Sequence, residues 1–201
     1  MRKTILKWAI FFGALGGCLQ TVPAEEPAEK STARTLWNAF WDELAGKPDA
    51  RALSERRHFN QAGISFDYPA ALHVERDSKG DLWRLGYGDF ELEVHESAHA
   101  AVSAAALFDG LSEVFGHRAQ PGTAAAGDVV EFCGQHVEPV RLQLTLLDDP
   151  HEMKGYDLPA PDGEARFLVF DDALENNQPS AVAAATFAAV TATLRCAAQR
   201  H

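Results

Sequence analysis

Residues 90 to 95 read Phe-Glu-Leu-Glu-Val-His, and apolar and polar side chains alternate at every step of this stretch. Alternation with period two is typical of a β-strand with one buried and one solvated face. The same alternation occurs in residues 62 to 69, which begin with an Ala-Gly turn, and in residues 140 to 146. The sequence therefore predicts an antiparallel meander of hairpins from Arg57 to Val94 and places Glu91 and Glu93 on its solvated face.

Three other segments of the chain show helical spacing instead. Residues 36 to 44 carry an apolar stripe, Ser97 is predicted to cap a helix that runs to about Phe115, and Ser180 is predicted to cap the last helix. Serine is a favoured N-cap because its hydroxyl accepts a hydrogen bond from the first helical turn. Helices packed on an antiparallel sheet define the α+β class. The sequence therefore predicts one α+β domain over residues 34 to 201, with a central antiparallel sheet flanked by helices.

The order of these elements is similar to that of a known group of proteins. The strand of residues 63 to 69, Gly-Ile-Ser-Phe-Asp-Tyr-Pro, and the closing helix of residues 184 to 196 carry the likeness. With the element order, they resemble the PsbP-like and DcrB-like proteins over roughly residues 55 to 198. The resemblance implies a central antiparallel sheet between helices and an accessory or binding role. It assigns no catalytic residue, because the group shares none.

The N-terminus has the order of charges and apolar residues found in a secretory signal. Arg2 and Lys3 precede a run of roughly 10 apolar residues, which is too short to cross a bilayer that needs about 20. The segment Leu15-Gly16-Gly17-Cys18 resembles the bacterial lipoprotein cleavage box, in which the cysteine is lipidated and becomes the new N-terminus. The resemblance implies that residues 1 to 17 are a lipoprotein signal peptide and that Cys18 carries a lipid anchor.

Residues 18 to 33 are predicted to form a tether, because they are polar, contain prolines and lack periodicity. Aspartate does not follow Cys18 directly, and the lipoprotein resemblance then implies the outer rather than the inner membrane. The alternative is ordinary secretion with cleavage after residues 22 to 24, Val-Pro-Ala, which would leave a soluble protein that starts at Glu25. Both alternatives place the mature chain on the periplasmic side of the cell envelope.

Cys133 and Cys196 remain once Cys18 is assigned to the anchor. An extracytoplasmic compartment is oxidising, so these two cysteines are candidates for a disulfide. Two buried free thiols are the alternative, and the sequence leaves both open. The chain contains no Cys-x-x-Cys redox pair and no cysteine cage for zinc.

Residues 95 to 99, His-Glu-Ser-Ala-His, match the H-E-x-x-H pattern of zinc metallopeptidases. In that pattern His95 and His99 would bind zinc from one helical face, and Glu96 would be the general base. The alternation that leads into His95 predicts a strand there, and the sequence shows no third ligand at a suitable spacing. A zinc metallohydrolase is therefore kept as the alternative function, with zinc as the alternative to no cofactor.

The formal net charge of −11 argues against binding to nucleic acid and permits a basic protein partner. The sequence predicts that carboxylates on the solvated face or at strand ends contact that partner, and the candidates are Glu91, Glu93, Asp148 and Asp149. The predicted function is a membrane-anchored, non-enzymatic, protein-binding lipoprotein. An immunity or inhibitor protein against a secreted toxin is one specific form of it. A structural envelope lipoprotein is a further alternative.

Overall fold

The computed structural model describes residues 49–78, 80–99, 101–122, 128–146, 149–161 and 163–197. The predicted signal peptide, Cys18, the tether, the helix of residues 36 to 44 and Asp148 lie outside these described residues. In chain order the described elements are α1 (Ala50–Ser54), β1 (Arg56–Gln61), β2 (Ile64–Pro69), β3 (His73–Arg76), β4 (Leu82–Tyr87), β5 (Phe90–Ser97), α2 (Ala104–Phe115), a 3-10 turn (Gly116–Arg118), β6 (Ala119–Gly122), β7 (Val130–Phe132), β8 (Gln135–Val137), β9 (Val140–Leu146), β10 (Asp149–Leu158), β11 (Ala165–Ala173), α3 (Ala181–Thr193) and β12 (Arg195–Cys196).

A seven-stranded sheet with the order β3-β4-β5-β11-β10-β9-β6 forms the centre of the fold. All its neighbouring strands are antiparallel. The predicted α+β class with a central antiparallel sheet is confirmed. The strand that was predicted from residues 90 to 95 is β5, and it lies inside this sheet between β4 and β11.

The first predicted hairpin does not join that sheet. Strands β1 and β2 form a separate three-stranded sheet with the C-terminal strand β12, in the order β1-β2-β12. Pro69 ends β2, and the backbone N–H of Leu72 then donates to the Pro69 carbonyl at 3.1 Å, so the chain turns away before β3 begins. A single continuous meander over this region, which the alternation suggested, is therefore wrong.

One face of the large sheet packs against the small sheet and α3. Buried side chains of β4, β5, β10 and β11 meet those of β2 and α3 there. The fully buried residues of this core include Phe66, Leu85, Leu92, Tyr156, Leu168 and Val190. Arg166, which is buried, donates to the carbonyl oxygens of Gly63 and Pro159, both at 3.4 Å. This arginine connects the β1–β2 turn to the large sheet.

The opposite face of the large sheet carries α2, which packs against β6, β9 and β10. Its buried residues are Ala104, Phe108 and Leu111. Gly155 on β10 allows this contact, because a Cβ at that position would lie 2.6 Å from Cβ of Ala104. A side chain there would push the helix off the sheet.

Helix α2 begins later than predicted. Ser103, and not Ser97, is its N-cap, and the Ser103 hydroxyl accepts a hydrogen bond from the backbone N–H of Ala106 at 3.1 Å. Ser97 is the last residue of β5 and is paired with Ala165 on β11. The strand ladder therefore continues through the position at which the sequence predicted the helix to start.

Strand β6, Ala119–Gly122, pairs with β9 and ends the large sheet on that side. The last helix begins after Ser180 as predicted, and the Ser180 hydroxyl accepts from the backbone N–H of Ala183. Within the described residues, none of the helices combines the length and apolar composition that crossing a bilayer requires.

Candidate functional site

The H-E-x-x-H segment lies on a strand and the turn that follows it. His95 and Glu96 are neighbours on β5, and neighbouring strand residues point to opposite faces of a sheet. The His95 ring stacks on Phe167 with centroids 4.3 Å apart. His99 is exposed beyond the end of β5, where its backbone N–H donates to the Ser97 hydroxyl. The three side chains of the pattern therefore do not converge on one point.

A zinc ion would also need a third protein ligand. Within the described part of the chain, no group of three or more His, Cys, Asp or Glu side chains is placed to hold a metal ion. The nitrogen Nε2 of His95, which would face zinc in the metallopeptidase pattern, lies 2.8 Å from Oε2 of Glu93. This ring is held by a neighbouring carboxylate and an aromatic ring.

Glu91 and Glu93 do not lie on a solvated face. Their relative exposures are 4% and 1%, so the prediction that they contact a partner is wrong. Nε of Arg84 on β4 lies 3.2 Å from Oε1 of Glu91 and 3.5 Å from Oε1 of Glu93. We call Arg84, Glu91, Glu93 and His95 the ionic row. Buried carboxylates are retained where cations and hydrogen bonds compensate their lost hydration, which is the arrangement here.

A second buried pair continues the ionic row across the sheet. Asp171 on β11 is directly opposite Glu91, and its Oδ1 lies 2.9 Å from Nδ1 of His151 on β10. His151 is 2% exposed, and its Nε2 has no hydrogen-bond partner among the described residues. Because Glu91, Glu93 and His151 are shielded from solvent, the ionic row and this pair do not form a docking surface.

Asp172 connects the sheet to α3. Its two carboxylate oxygens accept from the backbone N–H and the hydroxyl of Ser180, each at 2.8 Å. Burial raises the pKa of Asp172 above its ordinary value of 3.8, and Asp171 adds to the rise. The two hydrogen bonds from Ser180 and the nearby His151 oppose it. This carboxyl fixes the N-terminus of α3, but its ionised form is disfavoured by burial.

The raised pKa of Asp172 predicts how the stability of the protein changes with pH. The pKa of Asp172 in the folded protein is above its unfolded value of 3.8. The stability that this group contributes through its protonated form is therefore fully present below pH 3.8 and is lost as the pH rises through the folded-state pKa. Asp172→Asn is neutral at every pH and lacks this dependence. We expect the free energy of unfolding of the wild type to rise relative to that of Asp172→Asn when the pH falls from 7 to about 4.

Urea unfolding at several pH values measures this difference. Asp149→Asn, which removes one carboxylate at an exposed strand end, is the matched control for the loss of a charge. If the wild type loses stability relative to Asp172→Asn as the pH falls, the pKa of Asp172 is lowered in the folded protein and the assigned direction is wrong.

Exposed carboxylates occur together at one end of the large sheet. Asp89 lies in the β4–β5 turn, Asp149 begins β10, and Glu175 follows β11; all three are exposed. The backbone N–H of Leu174 donates to the Pro150 carbonyl at 2.8 Å, which places the ends of β10 and β11 side by side. We call Asp89, Asp149 and Glu175 the acidic edge. Of the predicted contact residues it contains Asp149, whereas Asp148 lies outside the described residues.

A second charged cluster lies on β9 and β10. Nη2 of Arg141 is 2.9 Å from Asp128, and Nζ of Lys154 is 3.4 Å from Glu152. Tyr156 beside it is fully buried, and burial is the main cause that raises the pKa of its phenol. Opposite charges balance one another within this half-buried cluster. No local pattern in the sequence indicates this cluster, because Asp128 approaches β9 only through the tertiary fold.

Cys133 and Cys196 are joined by a disulfide in the structure, with an S–S distance of 1.97 Å and a Cα–Cα distance of 5.4 Å. Cys133 lies in the β7–β8 turn, and Cys196 lies on β12. Of the two states that the sequence left open, the structure has the bonded one. The bond fixes the β7–β8 hairpin to the C-terminal strand of the small sheet.

No family model matches the chain, and no curated protein matches it significantly. Among solved structures, a crystal structure from Bacteroides thetaiotaomicron VPI-5482 at 1.50 Å resolution is similar to it, with 13% sequence identity and a TM-score of 0.43. The match covers 71% of this chain and 49% of that chain, so this chain spans about half the length of the solved one. A likeness at this level assigns no function.

Proposed function

We propose that this chain is a lipid-anchored, non-enzymatic protein of the cell envelope that binds a basic protein on the periplasmic side. The anchor would be Cys18, and the binding surface would be the acidic edge. The observation that carries the proposal is the disulfide between Cys133 and Cys196. Disulfides persist in oxidising compartments, and the lipoprotein-like cleavage box at the N-terminus leads to the same compartment.

The acidic edge supports the binding role. Its carboxylates stand at the ends of neighbouring strands, so a rigid sheet holds them on one side of the molecule. Exposed charges of one sign attract an oppositely charged partner and increase the association rate more than they lower the dissociation rate. The buried ionic row cannot have this role, because Glu91 and Glu93 are shielded from solvent.

The geometry of the H-E-x-x-H segment favours a binding protein over a zinc hydrolase. A hydrolase of that class needs both histidines on one helical face with the glutamate between them. Here His95 stacks on Phe167, and Glu96 points to the other face of the sheet. The zinc alternative would require β5 to unravel into a helix, with the loss of its pairing to β4 and β11.

The location is tested by fractionation and mass spectrometry of the mature protein. We expect a lipid-modified N-terminus at Cys18 and recovery in the membrane fraction. Cys18→Ala should move the protein to the soluble fraction or leave the signal uncleaved. A mature N-terminus at Glu25 would show ordinary secretion and would contradict the anchor.

The binding surface is tested with charge reversals. Purified full-length protein is cross-linked in envelope extracts, and the captured partner is then used in kinetic binding assays. We expect Asp149→Lys with Glu175→Lys to lower the association rate about tenfold at low salt. Asp81→Lys is the matched control, because Asp81 is exposed in the β3–β4 turn at the opposite end of the sheet. An equal effect of Asp81→Lys would contradict the assignment of the acidic edge.

An immunity protein is the specific form of this proposal that the compartment and the acidic charge favour. Such a protein would bind a secreted basic toxin in the envelope and block it. Cells that lack the gene should then become sensitive to that toxin, and the Asp149→Lys variant should restore resistance poorly. Full resistance of the deletion strain to the captured partner would exclude this form.

A further inference from the structure

The strand β1 is an edge of the small sheet. Among the described residues it pairs with β2 on one side and has no strand on the other. Ala62 and Gly63 have φ values of 53° and 65°, and Gln61 pairs with Ile64 across them. These values define a two-residue hairpin turn, whose closing pair exchanges both backbone hydrogen bonds.

Hydrogen bonding alternates from that closing pair along the hairpin. The backbone groups of Gln61 and Phe59 therefore face β2, and those of Arg56, His58 and Asn60 face outward. Outward N–H and C=O groups on an edge are a template for another strand. Arg56, His58 and Asn60 therefore present backbone groups that no strand in the described part of the chain pairs with.

Strand β1 itself carries two arginines and a histidine and no acidic side chain, although the whole chain is acidic and the exposed Glu55 directly precedes the strand. Arg51, Arg56, Arg57 and His58 are all exposed, whereas the formal net charge of the chain is −11. His58 lies 2.8 Å from Asp67 on β2, which is the neighbouring strand. We call β1 with Arg51 the basic edge. Its charge is opposite to that of the acidic edge, so the two surfaces fit different partners.

We propose that the basic edge binds an extended acidic segment of another protein, which adds to the small sheet as a strand beside β1. In strand addition the main-chain hydrogen bonds supply affinity, and alternate side chains supply specificity. Carboxylates on the incoming strand would lie next to Arg56 and Arg57, and opposite charges on neighbouring strands stabilise their pairing. This surface adds a second binding site to the chain.

The arginines favour an acidic strand over other occupants of this edge. In a second copy of this chain, an antiparallel β1 paired about His58 would place Arg56 opposite Asn60 and Arg57 opposite Phe59, so neither arginine would gain a carboxylate partner. Neutral strands gain nothing from the arginines, which protect an edge against unspecific pairing. An acidic strand would pair with the outward backbone groups of β1 and would also place carboxylates near its arginines.

The test uses a fluorescent, acetylated eight-residue peptide in which valine and glutamate alternate, titrated with full-length protein and followed by anisotropy. We expect the peptide to bind, and we expect a valine–lysine peptide of the same length to bind at least tenfold more weakly. Hydrogen exchange should slow at the outward amides of His58 and Asn60 when the peptide is present.

Two pairs of variants separate backbone pairing from simple charge attraction. His58→Pro removes an outward N–H, and His58→Ala removes the same side chain but keeps that N–H. Arg57→Glu reverses one charge of the basic edge, and Arg118→Glu is the matched control at an exposed arginine elsewhere. We expect at least tenfold weaker binding for Arg57→Glu than for the wild type and for His58→Pro than for His58→Ala, and near wild-type binding for Arg118→Glu. Circular dichroism identifies any variant that fails to fold.

Three outcomes would overturn the proposal. The first is no binding of the valine–glutamate peptide to folded wild-type protein. The second is binding that falls with Arg57→Glu but not with His58→Pro, which shows charge attraction without strand addition. The third is a dimer in solution that His58→Pro dissociates, which shows a second copy on the edge. Asp149→Lys should leave peptide binding unchanged, so failure here is independent of the acidic edge.

Discussion

Loss of the Cys133–Cys196 disulfide is expected to lower the free energy of unfolding by about 4 kcal/mol. The bonded cysteines are 63 residues apart. A cross-link of that span removes much of the conformational entropy of the unfolded chain, and the loss is larger for a longer loop. Few other changes in a domain of this size should cost as much, because typical single substitutions cost only about 1 kcal/mol.

Urea unfolding of the wild type, oxidised and reduced, measures this effect without any substitution. The double variant Cys133→Ala/Cys196→Ala should match the reduced wild type and should not respond to reductant. The alanine at position 133 keeps the positive φ of 55° that the cysteine has, so backbone strain is the same in both proteins. A difference below about 1 kcal/mol between the oxidised and reduced wild type would show that the bond does not constrain the unfolded state.

Arg84→Met is expected to destabilise the protein by about 3 kcal/mol. Methionine keeps an unbranched apolar stem but removes the cation beside Glu91 and Glu93, which are 4% and 1% exposed. Removal of one partner from a buried ionic group leaves an uncompensated charge, and this costs more than the intact group contributes. His95 still contacts Glu93 in the variant, which limits the loss.

A double-mutant cycle assigns this loss to the carboxylates. Glu93→Gln removes a negative charge, so Arg84→Met/Glu93→Gln should recover at least about 1 kcal/mol relative to the sum of the single effects. Arg118→Met, at an exposed arginine, should change stability by less than about 0.5 kcal/mol. Additive effects of Arg84→Met and Glu93→Gln would show that these side chains are not energetically coupled.

Local patterns in the sequence predicted those elements whose signal is local. Residues 140 to 146 alternate and form β9, and the Ser180 cap precedes α3. The alternation into His95 correctly predicted a strand where the H-E-x-x-H pattern requires a helix. Ser97 was a reasonable cap by residue type, but its pairing with Ala165 on a distant strand decided its conformation.

The glutamates of β5 show what alternation cannot predict. Glu91 and Glu93 alternate with apolar residues in the way that solvated residues do, and only the pairing of β4 with β5 shows that Arg84 lies beside them. Polarity in a sequence does not distinguish a carboxylate that faces water from one that faces an arginine. The strand register supplies that distinction, and it depends on contacts between distant residues.

The sequence predicted only part of the acidic edge for the same reason. Asp149 was a candidate because it belongs to an acidic pair in the sequence, whereas Asp89 and Glu175 are single acids in separate turns. They become neighbours of Asp149 because the strand order is β4-β5-β11-β10. The pairing of Cys133 with Cys196 likewise needed the fold, since β12 must return to β2 before the two sulfurs can meet.

The return of β12 to β2 also constrains how the molecule matures. A chain made from its N-terminus emerges with Ile64 and Ser65 long before Arg195 and Cys196, which pair with them. During synthesis, the β1–β2 hairpin therefore forms before its third strand is present. The disulfide can form only after Cys196 has emerged. A nascent chain halted before that residue would keep Cys133 as a thiol and would remain accessible to chaperones and proteases.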